Sequence, residues 1–283
     1  MPKEICIVIP AYKTFEQLNQ DELISWHQCL RILSKYPIYI AGPAKLAADG
    51  YIASAREKNA VCQFIAFTDT YFNSVSGYNS LMLSHGFYQK FKQYNYMLLY
   101  QLDCFIFKDE LHKWCAQGYS YVGAPWFEGY EPKNGRGNLW KVGNGGFSLR
   151  NVQDCLRVRH TFSLLKSWSA VIEKHKTFNR LAGLRGIYHL SKSLIAGNNT
   201  HWLLNDAAYY DWLYQEDYYW GVVCDEQFDW YKVPTPKQAL KFGFEVAPSI
   251  MYALNDNHLP MGCHAWEKYE PQFWQPFIEA ATQ

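Results

Sequence analysis

The chain has 283 residues, of which 49% are hydrophobic and 19% charged, so it can fold as one large domain or two small ones and is not a disordered polypeptide. Lys and Arg number 27 against 26 Asp and Glu, a net charge of +1, which argues against bulk nucleic-acid binding because that needs an excess of basic side chains. No run of 18 apolar residues occurs, so no segment is expected to span a bilayer.

Aromatic residues are abundant, with 11 Trp, 22 Tyr and 17 Phe. They fill a core or offer flat faces to sugar or base rings, and composition does not choose between these. The eight cysteines form no CxxC pair, and several sit inside apolar runs as free buried thiols do. A reducing cytoplasm is therefore the expected compartment. The opening MPKEICIVIP passes straight into a strand-like run without the pattern of a signal peptide.

Along the chain, ICIVIPAY (5–12) reads as a buried strand ended by Pro10. DELISWHQCLRILSKY (21–36) spaces Leu23, Trp26, Leu30 and Leu33 as a helix, with Asp21 as its expected cap. PIYIAGP (37–43) and QFIAF (63–67) read as strands, and YNSLMLSHGFYQKF (78–91) as a helix. MLLYQLDCFIF (97–107) reads as a fourth strand, interrupted by Gln101 and Asp103. DELHKWCAQ (109–117) is an expected helix, and YSYVGAP (119–125) and WKVGNGGFSL (140–149) are expected strands. From 151 to about 215 a helical insertion is expected. Strands alternating with helices predict an α/β fold with a mainly parallel sheet, whose ligands bind beyond the carboxyl ends of the strands. The window 150–192 holds nine Lys and Arg but only Asp154 and Glu173 as acids, while 205–230 holds seven acids and no Lys or Arg. These windows face each other or water, or they form a basic rim for an anionic acceptor or membrane surface beside an acidic pocket.

Four short stretches carry residues suited to chemistry. Asp103 in QLDCF offers oxygens to Mg²⁺ or Mn²⁺, or it caps the following helix or pairs with an Arg. The glycines of VGNGGFSLR (142–150) allow a sharp bend or a close ligand approach, or mark a plain β-bulge, and they lack the spacing of a dinucleotide fingerprint. The acids of QEDYYWG (215–221) suit a helix start, or one of them is a general base. His264 in LPMGCHAW (259–266), a stretch expected to be irregular, is a metal ligand or phosphate contact, or is structural.

Taken together and in this order, IVIPAYK, YNSLMLS, YNYMLLYQLDCFIF, ELHKWC, YVGAPW, VGNGGFSLR, EDYYWG and LPMGCHAW resemble a family of bacterial glycosyltransferase-like proteins, once filed as a domain of unknown function, from surface-polysaccharide settings. The likeness runs over nearly the whole chain and is weakest between 151 and 215. It implies a GT-A fold, with a Rossmann-like, mainly parallel sheet in one domain over 1–283. The nucleotide-sugar-binding half would be about 1–125 and the acceptor-side half about 126–283.

The resemblance also implies site residues. Pro10, Ala11, Tyr12 and Lys13 would lie beside the nucleotide, with Tyr78, Asn79, Gln101 and Asp103 completing the nucleotide-sugar site. Asp103 and His264 would hold a divalent cation, Mn²⁺ or Mg²⁺, although QLD keeps only one acid of the DxD pattern of such enzymes. Trp126, Asn144, Gly145, Gly146 and Trp220 would form the donor and acceptor floor. Asp217, ahead of Glu216, would be the catalytic base. The expected activity is transfer of a sugar from a nucleotide sugar, UDP-sugars favoured, to a saccharide or lipid-linked acceptor with inversion. The protein would be cytoplasmic, with peripheral membrane contact through the basic window. The alternative is a catalytically weak sugar- or nucleotide-binding protein on the same fold.

Overall fold

A computed structural model describes residues 3–130, 132, 137–161 and 215–282. The insertion expected over 151–215 therefore lies outside the described residues apart from 151–161 and 215, and so does most of the basic window.

Strand β1 (Lys3–Pro10) is apolar on both faces: Ile5, Ile7 and Ile9 enter one hydrophobic core, and Cys6 and Val8 enter the other. Such continuous apolar runs suit strands covered on both sides. Helix α1 (Gln20–Leu33) follows and buries Trp26, Leu30 and Leu33. Its cap is Asn19 rather than Asp21. The Asn19 side chain accepts the Glu22 N–H at 2.8 Å, and the Glu22 carboxylate accepts the Asn19 N–H at 2.9 Å, a reciprocal capping box. Then come β2 (Ile38–Pro43), α2 (Asp49–Glu57) and β3 (Cys62–Phe67).

The helix expected over 78–91 is two helices, α3 (Val75–Met82) and α4 (His85–Gln89). Ser84 makes the break: its hydroxyl donates to the Leu81 carbonyl and accepts the Phe87 N–H, ending one helix and starting the next. Strand β4 (Tyr94–Tyr100) also stops earlier than expected. After Tyr100 the Gln101 N–H donates to the Gly146 carbonyl at 2.9 Å, and Cys104 N–H closes a turn onto the Gln101 carbonyl at 3.0 Å. The run then leaves the sheet as β5 (Cys104–Ile106), so the polar residues of QLD occupy the turn between two strands in different sheets.

Beyond α5 (Leu111–Cys115), β6 (Tyr121–Val122) and β7 (Ala124–Phe127) divide at Gly123, where a Cβ would collide with the Gly143 carbonyl oxygen. The expected strand 140–149 likewise divides into β8 (Leu139–Gly143) and β9 (Phe147–Asn151), with the glycine-rich turn between them. Helix α6 (Val152–His160) follows β9. The main sheet has the order β3-β2-β1-β4-β9-β6. Strands β1 to β4 are mutually parallel, and β9 runs antiparallel to both β4 and β6. A two-stranded ribbon of β7 and β8 stands beside it.

A third, small sheet holds β10 (Gly243–Phe244), β11 (Gly262–His264) and β5. The stretch LPMGCHAW is thus not irregular: β11 pairs antiparallel with β5, aligning His264 with Cys104. One core, around Trp26, Leu30 and Tyr51, covers one face of the main sheet; the other, around Phe87, Tyr88 and Trp220, covers the opposite face. A third packs Phe105, Trp266 and Trp274 under the helix Pro271–Thr282. Many of the aromatics are therefore core. No helix among the described residues is long and apolar enough to cross a membrane.

Candidate active site

Two clefts open beyond the carboxyl ends of the parallel strands, where ligands bind in open α/β sheets. The first, about 580 Å³, is lined by Pro10, Ala11, Tyr12 and Lys13 at the end of β1, and by Asp103. The second, about 730 Å³, is lined by Trp126, Gly145, Gly146, Asp217 and His264. Tyr78 and Gln101 line both and form the wall between them, joined by a hydrogen bond from the Gln101 amide to the Tyr78 hydroxyl at 2.9 Å. Asn79 lines the second cleft, and its side-chain oxygen accepts the Glu216 N–H at 3.3 Å.

The pairing of β5 with β11 brings Asp103 and His264 together from 161 positions apart. His264 Nε2 lies 3.3 Å from Asp103 Oδ2. It is also 3.3 Å from the side-chain oxygen of Gln101. His264 Nδ1 lies 2.9 Å from Glu245 Oε1, a carboxylate next to β10 that is 9% exposed. Burial opposes a charge on the imidazole, yet the two flanking carboxylates outweigh it and raise the His264 pKa well above its ordinary value. Burial likewise opposes ionisation of Asp103, but the His264 charge and hydrogen bond hold its carboxyl below the usual range. One ring nitrogen thus faces each acid, Nδ1 towards Glu245 and Nε2 towards Asp103.

These residues fit a divalent cation of the Mn²⁺ or Mg²⁺ kind. Asp103 Oδ1 is buried without a hydrogen-bond partner among the described groups, as a ligand oxygen would be. One donor atom each from Asp103, Cys104 and His264 gathers within 4.8 Å. The Cys104 thiol already donates to the Gly146 carbonyl at 3.2 Å, and burial pushes its pKa well up, so the carboxylate and imidazole are the available ligands.

The glycine-rich turn owes its composition to crowding. Asn144 adopts φ 92° and its side-chain oxygen accepts the N–H groups of Gly146 and Phe147, each at 2.9 Å. Asn144 is buried and pins the turn from beneath, so it is not itself part of the cleft floor as the sequence led us to expect. A Cβ at Gly145 would collide with the Glu216 carboxylate, and one at Gly146 with the His264 ring. Only glycine at both positions lets the acid pair and the histidine approach the same turn.

The two adjacent acids have different surroundings. Glu216 is 3% exposed and faces the fully buried Arg150, with Nη2 to Oε1 at 3.0 Å and Nη1 to Oε2 at 2.9 Å. Arg150 also donates to Tyr88 and Ser148, and its guanidinium packs 5.6 Å from the Tyr121 ring. Arginine keeps its charge in proteins, so Glu216 serves as its counter-ion and is not available as the catalytic acid or base considered for it. Asp217 accepts the Tyr218 N–H at 2.8 Å and the Gly145 N–H at 3.1 Å. Burial, then the charges of Glu216 and Glu245, raise its pKa to about 7. Both acids open a helical segment, Glu216–Tyr218, that continues as a π-helical turn, Tyr219–Val223.

Trp220 lies on that turn but points into the core, donating its indole N–H to the Met82 carbonyl at 3.2 Å, so it offers no face to a sugar. Trp126 does line the cleft, stacked on Tyr218 with ring centroids 6.5 Å apart. Sequence reasoning missed Glu245, Lys268, Tyr218 and Trp140, all of which line the second cleft. The first had a readable signal: an acid inside the apolar KFGFEVAP is the same anomaly that marked Asp103.

Among solved structures, the fold resembles the apo-form glycosyltransferase GlyE of Streptococcus pneumoniae TIGR4, at a TM-score of 0.51 and 9% identity, covering 98% of this chain and 60% of GlyE. Mouse xyloside xylosyltransferase 1 in its apo form gives a TM-score of 0.49 at 10% identity, with 92% and 97% of the two chains covered. The chain thus spans about 60% of the length of GlyE. At such identities the likeness is one of fold, and the fold is of the GT-A glycosyltransferase type. No curated protein matches the sequence. The family model described as "Protein of unknown function (DUF5672)" matches residues 61–264, and the chain belongs to that family.

The buried ion pair yields a stability prediction. Glu216→Ala strands the Arg150 charge in the core and is expected to cost about 3–5 kcal/mol. Urea unfolding measures this, and a loss within experimental error would mean that Arg150 has another counter-charge.

Proposed function

We propose that the protein is a nucleotide-sugar-dependent glycosyltransferase that inverts the anomeric centre of its donor. The observation that carries this reading is the wall of Tyr78 and Gln101, with Asp103 in the cleft on one side and Asp217, its pKa raised to about 7, in the cleft on the other. Separate pockets that meet at one wall suit a donor and an acceptor whose reacting atoms meet there. The first cleft draws mainly on the half before residue 125 and would take the nucleotide of the donor, a UDP-sugar being favoured. The second draws mainly on the half after 126 and would take the acceptor, a saccharide or a lipid-linked saccharide.

In the proposed reaction the acceptor hydroxyl attacks the anomeric carbon while Asp217 takes its proton. The bond from that carbon to the diphosphate oxygen breaks, and its electron pair leaves with the nucleoside diphosphate. The N–H groups of Gly145 and Tyr218 fix the Asp217 carboxylate so that it need not reorganise. Lys268, exposed at the second cleft, places a positive charge on the acceptor side of the wall. Asp103 and His264 Nε2 would hold a divalent cation, with Glu245 fixing the ring through Nδ1. When bound, that ion supplies charge neutralisation at the diphosphate.

The resemblance to proteins of surface-polysaccharide settings supports a role in lipopolysaccharide or capsule synthesis. Free cysteines, all buried except Cys62, support a cytoplasmic location, with the acceptor met at the inner face of the membrane. The alternative, a catalytically weak binder, is favoured by Gln101 standing where a second acid would complete DxD.

Thermal unfolding with nucleoside diphosphates and Mn²⁺ tests the reading directly. A bound nucleotide at a hundredfold excess over Kd is expected to add about 2.7 kcal/mol, and no response to any nucleotide or nucleotide sugar would sink it. Asp217→Asn is expected to lower donor turnover about 10²–10⁴-fold while nucleotide binding persists. Turnover that was never present, with binding intact, would favour the binder. The wild-type rate should climb as pH rises through about 7, because only ionised Asp217 accepts a proton. The sign for stability is the reverse: the raised folded pKa makes this group's stabilising contribution full below pH 3.8 and lost as pH rises to about 7. A flat rate profile would remove Asp217 from the role of base. Glu245→Gln is expected to weaken Mn²⁺ binding about 10–100-fold, read by calorimetry in the presence of UDP. Unchanged affinity would mean that Glu245 does not support the ligand.

A further inference from the structure

Three aromatics among the described residues are exposed: Tyr12 in the first cleft, and Tyr130 and Trp140 in the second. Trp140, on the ribbon strand β8, is 43% exposed, although large apolar side chains are normally covered. It is not isolated. Its ring lies 6.3 Å from that of Tyr218 at 33°, and Tyr218 in turn lies 6.5 Å from Trp126 at 13°. All three line the second cleft. They form a strip that begins at the buried Trp126, passes the residue next to Asp217, and ends at the open rim.

The chemistry of the strip is selective. A sugar ring has an apolar C–H face and a rim of hydroxyls, and an aromatic ring gives that face broad contact at little entropy cost. The Trp126 indole N–H is buried and finds no acceptor among the described residues, and such a donor suits a ring hydroxyl. Trp126 and Tyr218 flank the place where Asp217 would meet the reacting sugar. Trp140 lies one ring further out, 6.3 Å beyond Tyr218, and is 43% exposed where Trp126 is 7%, so it faces the solvent end of the cleft.

Resting on the glycosyltransferase reading, we infer that the acceptor is an oligosaccharide of at least two rings: its terminal unit lies against Trp126 and Tyr218, and its next unit stacks on Trp140. Trp140 therefore sets a preference for chain length and takes no part in proton transfer.

The test is retention of the wild-type chain, loaded with UDP and Mn²⁺, on immobilised glycans of one to four rings taken from bacterial surface polysaccharides, compared with Trp140→Ala and Trp140→Phe. The expected result is retention of glycans of two or more rings above single rings, about tenfold weaker for Trp140→Ala and largely restored in Trp140→Phe, which keeps a flat ring. A rise in melting temperature with UDP confirms that each variant is folded. The inference is overturned if Trp140→Ala holds the longer glycans as tightly as the wild type, if single rings bind equally well, or if the wild type holds no glycan. It is also overturned if the substitution instead abolishes adhesion to vesicles of anionic phospholipid and leaves glycan retention unchanged. Failure of the underlying reading is distinct, because it appears as no response of the wild type to UDP or to any nucleotide sugar.

Discussion

The arrangement of the site depends on a three-residue strand pairing. Strand β5 leaves the main sheet immediately after the QLD turn and aligns with β11, which sets Cys104 opposite His264. Without that pairing Asp103 would be a lone carboxylate at a strand end and His264 a ring on a distant loop. With it, the imidazole sits between Asp103 and Glu245, and its charge offsets the cost of burying both acids. The small sheet therefore does for the site what the large sheet does for the core: it fixes groups remote in sequence on rigid backbone rather than on loops.

A second constraint, the glycine-rich turn, connects this cluster to Asp217. Gly146 makes room for His264, and Gly145 for the acid pair, so the two clusters approach one turn from different sides. Beneath it Arg150 holds Glu216, and through Glu216 the start of the helix that carries Asp217. The π-helical turn that follows lets Gly221 lie against the Val142 carbonyl, where a Cβ would clash. Extra-residue turns of this kind are frequent at functional sites because they re-aim a few side chains without ending the helix.

Much of this was legible in the sequence, for identifiable reasons. The parallel strands were readable because strands buried on both faces are unbroken apolar runs, as in IVIP and MLLY. Asp103 was readable because it contradicts its surroundings. The partition between sheets was not readable. Residues 97–107 and 140–149 keep a strand-like composition through QLD and GNGG, and only the tertiary hydrogen bond from Gln101 to Gly146 and the side-chain turn closed by Asn144 show that each stretch is two strands. Trp220 was misread because an aromatic beside catalytic-type acids looks the same whether its helix turns it outward or, as here, into the core. The separate fates of Glu216 and Asp217 also escaped local pattern, since the difference is Arg150, 66 positions away.

The charges of the site close on themselves in a way that bears on Gln101. His264 is shared by Asp103 and Glu245, and Arg150 is matched by Glu216. Gln101 faces His264 through its oxygen and Tyr78 through its nitrogen, using both ends of an amide. A carboxylate there would add a third acid beside one histidine and would lose the donor that holds Tyr78, so the neutral side chain is the one that fits this wall. What remains is Asp217, whose carboxylate accepts two backbone N–H groups and lies under the repulsion of Glu216 and Glu245, which outweighs the pull of Arg150. Asp217 is thus the acid whose proton is held near neutral pH, because Arg150 and His264 are already engaged by Glu216, Asp103 and Glu245.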